Sequence, residues 1–551
     1  MLSKSIIALA VLALGVEASA QQAPTAGSTL RQIPPAPVPA KSAPKVELKP
    51  SAPPAAGADD SATMVVKRLR VAGAQAYSEA QLLAVTGFVP DSVLTLGELN
   101  NMARRIADHY HRNGYFVAQA YLPAQDIKDG VVTIAVLDGR YGKIVLNNKT
   151  TMSDELAREL MSGINSGDMV AAAPLENRLM LLSDVPGVKV RSTLAPGASV
   201  GASDLIIDLT PGRRISGSVD ADNAGNRYTG EWRAGATVNL NQPAGRGDVA
   251  SLRVLSSGKG LNYARASYQM QFGKVKAGAA YSQLRYRLGR EFESLDAHGS
   301  ARVASLYGSY PLLRSRKSNL TALLAYDDKT FEDRVGATGG LTDKKAHVLM
   351  ASLYGDQRDQ VGGGGLSAFT VTLSSGRIDI ETPLMRQIDA DSARFNGSFT
   401  KLGLHAMRLQ RVTDAVSVYA AVNGQLASKN LDVSEKMELG GMYGVRAYPE
   451  GEAYADQGYV LNLEARLEVP ARSGQLQLIA FADHGAVSIN RDPWSAGPNR
   501  RTLSAAGVGV NWSREDDFML KAYYAHKLGN EAATSAPDAS GRFWVQAVKY
   551  F

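Results

Sequence analysis

The stretch Leu439-Gly440-Gly441-Met442-Tyr443-Gly444-Val445-Arg446-Ala447-Tyr448-Pro449 decides how the rest of this chain is interpreted. It is rich in glycine, carries a single arginine, and lies between two segments of alternating polarity. Residues 475–485 predict a strand, because successive side chains point to opposite faces. One face holds Gln475, Gln477, Phe481, Asp483 and Gly485, and the other holds Leu476, Leu478, Ala480 and Ala482. An aspartate on the polar face and an arginine on a nearby loop predict an ion pair inside a closed sheet. We therefore predict a barrel whose lumen contains a folded-in loop.

Alternation of the same kind extends through residues 214–551, where we find no convincing amphipathic helix. Around position 236, for example, Trp232, Ala234, Ala236, Val238 and Leu240 alternate with Arg233, Gly235, Thr237, Asn239 and Asn241. One face suits lipid and the other suits water, which is typical of transmembrane β-strands. At about 10 residues per strand, this length accommodates roughly 16 antiparallel strands. A soluble β-sandwich also alternates, but the length of the region and both ends of the chain favour a transmembrane barrel.

The two ends of the chain indicate export and membrane insertion. Residues 1–20 predict a secretory signal peptide, with Lys4 in its positive region, an apolar core over 6–16 and the small residues 18–20 at the cleavage site. The chain ends on an alternating aromatic strand with Phe551 as its last residue. This ending resembles the recognition signal of outer-membrane barrels, which implies the barrel-assembly machinery as a partner. Lys549 is a departure, since it falls on the predicted lipid face.

Composition excludes several classes of protein. Charged residues make up 21% of the chain and the mean hydropathy is −0.15, so it does not resemble a helical membrane protein. There is no cysteine, and hence no disulfide, no thiolate ligand and no lipid attachment at a lipobox. The net charge of +7 arises from basic residues interleaved with acidic ones along the whole chain. Nucleic-acid binding is therefore not expected.

Residues 21–62 predict a linker. Their many prolines and alanines favour extended polyproline geometry, and nothing in them predicts an amphipathic helix. The segment either spaces the next domain from the mature N-terminus or acts as a plug or tether.

Residues 63–140 and 141–213 predict two small α+β domains with the same order of elements. The first comprises a strand over 65–71, helices over 78–85 and 96–113, and strands over 116–122 and 131–137. The second comprises a strand over 143–146, helices over 153–164 and 174–182, and strands over 188–193 and 204–209. Two adjacent units of one topology indicate a tandem repeat.

The first of these domains resembles a known module. Residues 113–117, 120–127 and 129–130 are similar to the first POTRA domain of two-partner secretion transporters, the TpsB family of haemolysin- and filamentous-haemagglutinin-type exporters. The resemblance implies a periplasmic domain that receives an unfolded client by adding its strand to an exposed sheet edge. It assigns client binding to Tyr115, Leu122, Pro123, Gln125 and Asp126.

The same resemblance extends through the barrel. Gly444-Val445-Arg446-Ala447-Tyr448 matches the family's Val-Arg-Gly-Tyr motif, at the tip of a long loop that folds into the pore. Phe481, Asp483 and Gly485 match the family's Phe-x-Asp-x-Gly strand motif. The resemblance therefore implies a contact between Arg446 and Asp483 in the lumen. Ala447 stands where the family usually has glycine, and a positive φ there would strain it by roughly 1–2 kcal/mol.

We find no pattern typical of an enzyme. The seven histidines form no metal-spaced cluster, and His484 lies on the apolar face beside Asp483, so the two side chains point apart. Gly362 to Gly365 lack the strand-to-helix context of a phosphate-binding loop. We accordingly expect no cofactor and no metal.

Together these patterns predict an outer-membrane protein whose N-terminal domains lie in the periplasm. Its expected partners are a cognate secreted exoprotein and outer-membrane lipid. The expected function is export of that exoprotein through the barrel without ATP. An outer-membrane assembly factor and a passive porin or surface adhesin are the alternatives. The sequence leaves the client open among an adhesin, a cytolysin, a contact-dependent toxin and a haem-scavenging protein.

Overall fold

The computed structural model describes residues 23–38, 46–48 and 63–551, so the predicted signal peptide lies outside the described residues. These residues form two compact units. One contains residues 214–243 and 247–551 together with segment 23–38, and the other contains 46–48, 63–213 and 244–246. No helix in the described ranges is both long and apolar enough to cross a membrane.

The predicted linker contains two elements that the sequence did not predict. Helix α1 (Ala26–Arg31) belongs to the larger unit, and its N-cap Thr25 forms a capping box with Ser28. Strand β1 (Val46–Leu48) belongs to the smaller unit. Both are short, so contacts with their own units, rather than local propensity, account for them.

The first α+β domain contains the predicted helices and strands with shifted ends. Its elements are β2 (Thr63–Val66), β3 (Arg68–Ala72), α2 (Glu79–Thr86), β4 (Ser92–Thr95), α3 (Leu96–Arg112), β5 (Gln119–Tyr121) and β6 (Val131–Leu137). The single strand predicted over 65–71 is wrong. The chain changes sheets at Lys67, because β2 pairs with the unpredicted β4 whereas β3 pairs with β6. Helix α3 begins where Thr95 and Glu98 form a capping box, and it buries Ile106 and Tyr110.

The second α+β domain has a four-stranded sheet. Its elements are β7 (Arg140–Asn148), α4 (Asp154–Leu160), α5 (Ala172–Ser183), β8 (Val188–Pro196) and β9 (Ala202–Pro211). The strand order is β1-β8-β9-β7, so the linker strand β1 lies along the edge of β8, in parallel. Leu160, Leu182 and Ile207 lie in the buried core between helices and sheet.

The remainder of the chain is a closed antiparallel barrel of 16 strands, which confirms the predicted fold class. The strands are β10 (Ile215–Asp222), β11 (Arg233–Asn241), β12 (Val249–Ser256), β13 (Leu261–Phe272), β14 (Val275–Arg287), β15 (Ala297–Arg314), β16 (Ser318–Val335), β17 (Gly340–Asp359), β18 (Gly365–Ile380), β19 (Gly397–Arg411), β20 (Val416–Ala427), β21 (Gln457–Val469), β22 (Gln475–Ser488), β23 (Arg500–Arg514), β24 (Phe518–Lys527) and β25 (Gly541–Tyr550). Strand β10 pairs with both β11 and β25, which closes the sheet. Closure removes the free edges that an open sheet would expose.

The two faces of the barrel differ as the alternation predicted. Leu252, Leu306, Leu373 and Val508 point outward and are exposed. Connections alternate between short turns and longer loops, one of which contains helix α6 (Pro383–Ala390). The longest connection, residues 428–456 between β20 and β21, folds back into the barrel. We call it the lumen loop, and it forms the candidate site together with α1.

Candidate functional site in the barrel lumen

The tip of the lumen loop is held by Arg446, which is only 4% exposed. Its Nε and Nη2 donate to the two carboxylate oxygens of Asp483 at 2.8 and 2.7 Å. The Arg446 backbone N–H donates to the same carboxylate at 3.1 Å. Arg446 and Asp483 thus form the fork-to-fork pair that a planar guanidinium and a carboxylate favour. The structure brings together the two residues that the motif resemblance paired.

A second carboxylate completes the tip, and sequence reasoning did not find it. Nη1 of Arg446 donates to Glu464 on β21 at 2.8 Å. Glu464 also accepts from Arg466 at 2.8 Å, while Asn462 donates to Asp483 at 2.8 Å. Two buried arginine–carboxylate pairs therefore share one network, which satisfies the charges that burial would otherwise penalise. The polar face of β21 was visible in the sequence, but the position of Glu464 opposite the loop was not.

Aromatic side chains enclose the guanidinium. The Phe481 ring centroid lies 3.5 Å from Arg446 Cζ, so the arginine stacks on the ring. Trp544, on the last strand, donates its indole N–H to the Arg446 carbonyl at 2.6 Å. The predicted strand motif thus supplies an ion-pair partner and a stacking surface, and Trp544 is a further contact that its distance along the chain concealed.

Two glycines make the close approach of the loop possible. A Cβ added at Gly485 would come within 2.2 Å of Leu439 Cδ1, so the loop can pack at this strand position only if the residue there has no side chain. A Cβ added at Gly444 would meet the carbonyl oxygens of Leu439 and Gly440 at 2.4 Å. The motif glycines therefore fit the loop against the wall and against itself.

The remaining motif residues are packed. Val445, Ala447 and Tyr448 are fully buried, and the Tyr448 hydroxyl donates to the Glu531 carbonyl at 3.1 Å. Ala447 does not adopt a positive φ. The condition for backbone strain at this position is therefore absent.

The N-terminal part of the lumen loop, which contains Asp432 and Glu435, is held to the barrel wall by lysines. Asp432 accepts from Lys344 at 2.6 Å, and Glu435 accepts from Lys329 and Lys401 at 2.7 and 2.8 Å. Each acidic side chain belongs to the loop and each lysine to a barrel strand. These pairs fix the loop base to one side of the barrel, away from the Arg446 tip.

The C-terminal part of the lumen loop is held in place by Glu452, which is completely buried. Its carboxylate accepts from the backbone N–H groups of Thr534 and Ser535 and from both hydroxyls, at 2.7 to 3.0 Å. Arg501 adds an ion pair at 3.1 Å. An acid in a glycine-rich loop gives no sequence signal of such burial, since its donors come from another loop.

Helix α1 packs against the lumen loop. The Ala26 N–H donates to Asp333 at 2.7 Å, and Arg233 donates to the Gln32 carbonyl at 2.9 Å. A Cβ added at Gly27 would lie 3.0 Å from the Ser434 Cβ, so helix and loop are in close contact. The linker therefore contributes a segment inside the barrel, and its role as a plug or tether stays a prediction.

Two carboxylates of the lumen loop lie near one another beside α1. Burial and the adjacent Glu450 charge raise the pKa of Glu438 well above its ordinary value. Burial also raises the pKa of Glu450 to about 7, although the nearby Arg233 opposes this shift. The pair therefore holds a proton near neutral pH, when both charges would otherwise repel.

The residues assigned to client binding do not form one exposed patch. Tyr115 and Leu122 pack against the first domain's core. The Gln125 side chain bonds to both the N–H and the carbonyl of Thr133, each at 2.8 Å, and its amide also donates to the Pro123 carbonyl. Asp126 is exposed. Gln125 thus continues the edge of β6 beyond the end of β5, and a role in binding stays a prediction.

The C-terminal residue closes the barrel. Phe551 and Gly217 exchange backbone hydrogen bonds at 3.0 and 3.1 Å. Lys549 points outward and pairs with Asp517 in a short turn. The recognition role of Phe551 stays a prediction. Among the described residues, no cluster of histidines and acidic side chains is arranged to hold a metal.

Comparison with known proteins gives consistent matches. Residues 201–512 match the family described as haemolysin secretion/activation protein ShlB/FhaC/HecB, and residues 64–139 match the ShlB-type POTRA domain. The heme/hemopexin transporter protein HuxB of Haemophilus influenzae (strain 86-028NP) is 27% identical over 466 residues, covering 83% of this chain and 82% of that protein. The outer membrane transporter CdiB of Dickeya dadantii (strain 3937) is 26% identical over 378 residues, covering 66% and 65%.

Solved structures share the fold. CdiB from Escherichia coli superposes with a TM-score of 0.69 at 18% identity, covering 91% of this chain and 93% of that one. BamA from Haemophilus ducreyi lacking POTRA domains 1-3 gives a TM-score of 0.53 at 14% identity, covering 89% and 100%. At these identities the likeness concerns the architecture alone.

Proposed function

The chain belongs to the ShlB/FhaC/HecB family of two-partner secretion transporters, and on that premise we propose that it exports one cognate exoprotein through its barrel without ATP. Its barrel lies in the outer membrane and its POTRA region in the periplasm. Members of this family are transporters rather than enzymes. The observation that carries the proposal is the lumen itself, which is filled by two segments of the chain, α1 and the lumen loop, held by reversible polar contacts.

Capture of the client would use a sheet edge. Strand β1 pairs with β8 in parallel, with Val46 opposite Ser192 and Leu48 opposite Leu194. The edge of β8 thus accepts an extended segment through backbone hydrogen bonds, which require no particular side chain. An unfolded client offers many such segments, and it would compete with β1 for this edge.

Passage through the barrel requires the lumen contents to move. Helix α1 contacts the loop at Gly27 and Ser434, so displacement of one removes a packing surface from the other. The Arg446 tip pairs with carboxylates that water can solvate once the loop leaves. We infer that α1 and the loop form one gate, which rearranges when a client enters.

The direction of transport would come from folding outside the cell. A client segment that becomes compact at the surface cannot slide back through the barrel, so each folded segment biases the equilibrium outward. This requires no nucleotide.

Removal of residues 63–213 tests the function. Release of the cognate exoprotein, abundance of other outer-membrane proteins and channel conductance would be measured together, with heat-modifiable mobility as the control for a folded barrel. An exporter stops releasing its client while other membrane proteins stay at normal levels. A general fall in outer-membrane proteins would instead identify an assembly factor, and unchanged release would leave only a passive channel.

A further inference from the structure

Four neighbouring strands are longer than the membrane requires. Strands β14, β15, β16 and β17 contain 13, 18, 18 and 20 residues, whereas about 9–11 residues of tilted strand cross a bilayer. Their ends near the long loops therefore extend beyond the hydrocarbon layer. In outer-membrane barrels the long loops are extracellular, so these ends pass through the headgroups of the outer leaflet.

The outward face of these strands changes from apolar to polar toward the long loops. Strand pairing places Tyr268, Ala279, Leu306, Tyr326 and Leu349 in one row, and this row is apolar or aromatic. Two rows nearer the long loops, Gln283 pairs with Arg302, and in the next row Arg285 pairs with Ser300. Arg302 is four residues from Leu306, or about 10 Å along the membrane normal for a strand tilted by about 45°. Arg302 thus lies at the extracellular border of the apolar outward residues of β15, such as Ala304 and Leu306, and the headgroup region begins at such a border.

Arg285 and Arg302 are exposed, and neither forms an ion pair with another described residue. They occupy diagonal positions on adjacent strands, where side chains are roughly 7–8 Å apart. Other arginines nearby are engaged, since Arg287 pairs with Asp296 and Arg334 with Glu332, each at 2.7 Å. The two free guanidinium groups are thus the ones available to a ligand.

Arg285 lines a groove on the outer surface, and Arg302 lies diagonally beside it on the adjacent strand. The groove has a volume of about 480 Å³, and its lining includes Lys259, His298 and Ser300, together with Glu332, whose charge is paired with Arg334. Lysine adds a third cation, and the serine hydroxyl adds a neutral donor. Planar guanidinium groups bind phosphate oxygens in pairs, so the groove suits a phosphate rather than an apolar group.

We propose that Arg285 and Arg302 bind the phosphate groups of a lipopolysaccharide molecule in the outer leaflet, with its acyl chains against the apolar row below. A free anion would use the cations alone. A lipid also contacts the apolar surface around Leu306 through its acyl chains, and Leu306 is 63% exposed. This contiguity of cations and apolar surface favours the lipid, and the inference does not depend on export of any client.

The test uses the full-length protein purified in detergent. Binding of lipid A is measured by native mass spectrometry for the wild type, for Arg285→Gln/Arg302→Gln, and for Arg514→Gln. Arg514→Gln is the matched control, because it removes one exposed arginine from the opposite, periplasmic end of a barrel strand, β23, beside a short turn. Heat-modifiable mobility establishes that each barrel is folded.

The double variant is expected to bind lipid A at least tenfold more weakly, since each lost charge-assisted contact to phosphate is worth roughly that factor or more. Arg514→Gln is expected to bind like the wild type. Equal binding by wild type and double variant would overturn the proposal. So would equally strong binding of phosphatidylglycerol, or full competition by inorganic phosphate at equimolar concentration, because neither reproduces the lipid-specific contact.

Discussion

Replacement of Arg446 by alanine tests the gate directly. The substitution removes three side-chain hydrogen bonds, two to Asp483 and one to Glu464, together with the stacking contact on Phe481. Asp483 is 2% exposed, and among the described residues it keeps only Asn462 and the backbone N–H of position 446 as donors. Breaking one partner of a buried pair costs on the order of 3–5 kcal/mol.

This cost falls on the loop rather than on the barrel strands. When the loop leaves the lumen, water solvates Asp483, so the penalty applies only to the loop-in state. A difference of 3–5 kcal/mol shifts the ratio of loop-in to loop-out states by roughly two to four orders of magnitude. We therefore expect longer and more frequent channel openings in planar bilayers, and reduced release of the cognate exoprotein.

The matched variants separate the contact from a general loss of charge. Asp483→Ala should give the same phenotype. The double variant should differ little from either single variant in channel opening and exoprotein release, because the two substitutions remove the same interaction. Arg408→Ala serves as the control, since Arg408 makes a comparable two-pronged bond to Asp359 but is 33% exposed. Wild-type release by both Arg446→Ala and Asp483→Ala, with barrels folded in the membrane, would refute the role assigned to this contact.

Three further perturbations address the surroundings of the tip. Gly27→Leu should displace α1, because even a Cβ there lies 3.0 Å from Ser434, and conductance should rise; unchanged conductance would contradict the contact. Gly485→Ala should destabilise the loop-in state by about 1–3 kcal/mol through overlap with Leu439, and Leu439→Ala in the same chain should restore normal gating. Burial holds the pKa of Glu450 at about 7, above the ordinary 4.5, so the loop-in state is stabilised fully below pH 4.5 and loses stability as the pH rises through 7. Channel opening should increase from pH 5.5 to 8, and Glu450→Gln should flatten this dependence. An identical pH profile in the wild type and the variant would contradict the role assigned to Glu450.

The sequence determined the features that follow from local periodicity. Alternation between Trp232 and Leu240 identified which side chains face lipid, because a strand repeats every two residues whatever it pairs with. The start of helix α3 at Leu96 was also predicted from the local sequence, since a capping residue such as Thr95 acts on its own helix. Alternation placed Asp483 on the polar face and indicated an ion pair with the loop arginine, and the motif resemblance identified Arg446 and Asp483 as the partners.

Only the tertiary structure decided which distant groups meet in the lumen. Glu464 and Trp544 stand 18 and 98 residues from Arg446, and the pattern of their strands indicates a face but not a partner across the barrel. Glu452 is buried because another loop supplies its donors. Helix α1 is too short to be stable alone, and the segment containing it favours extended geometry; it forms where barrel side chains satisfy its ends. Burial of a charge or of a helix end depends on the groups that surround it in space, and the order of residues along one segment does not specify those groups.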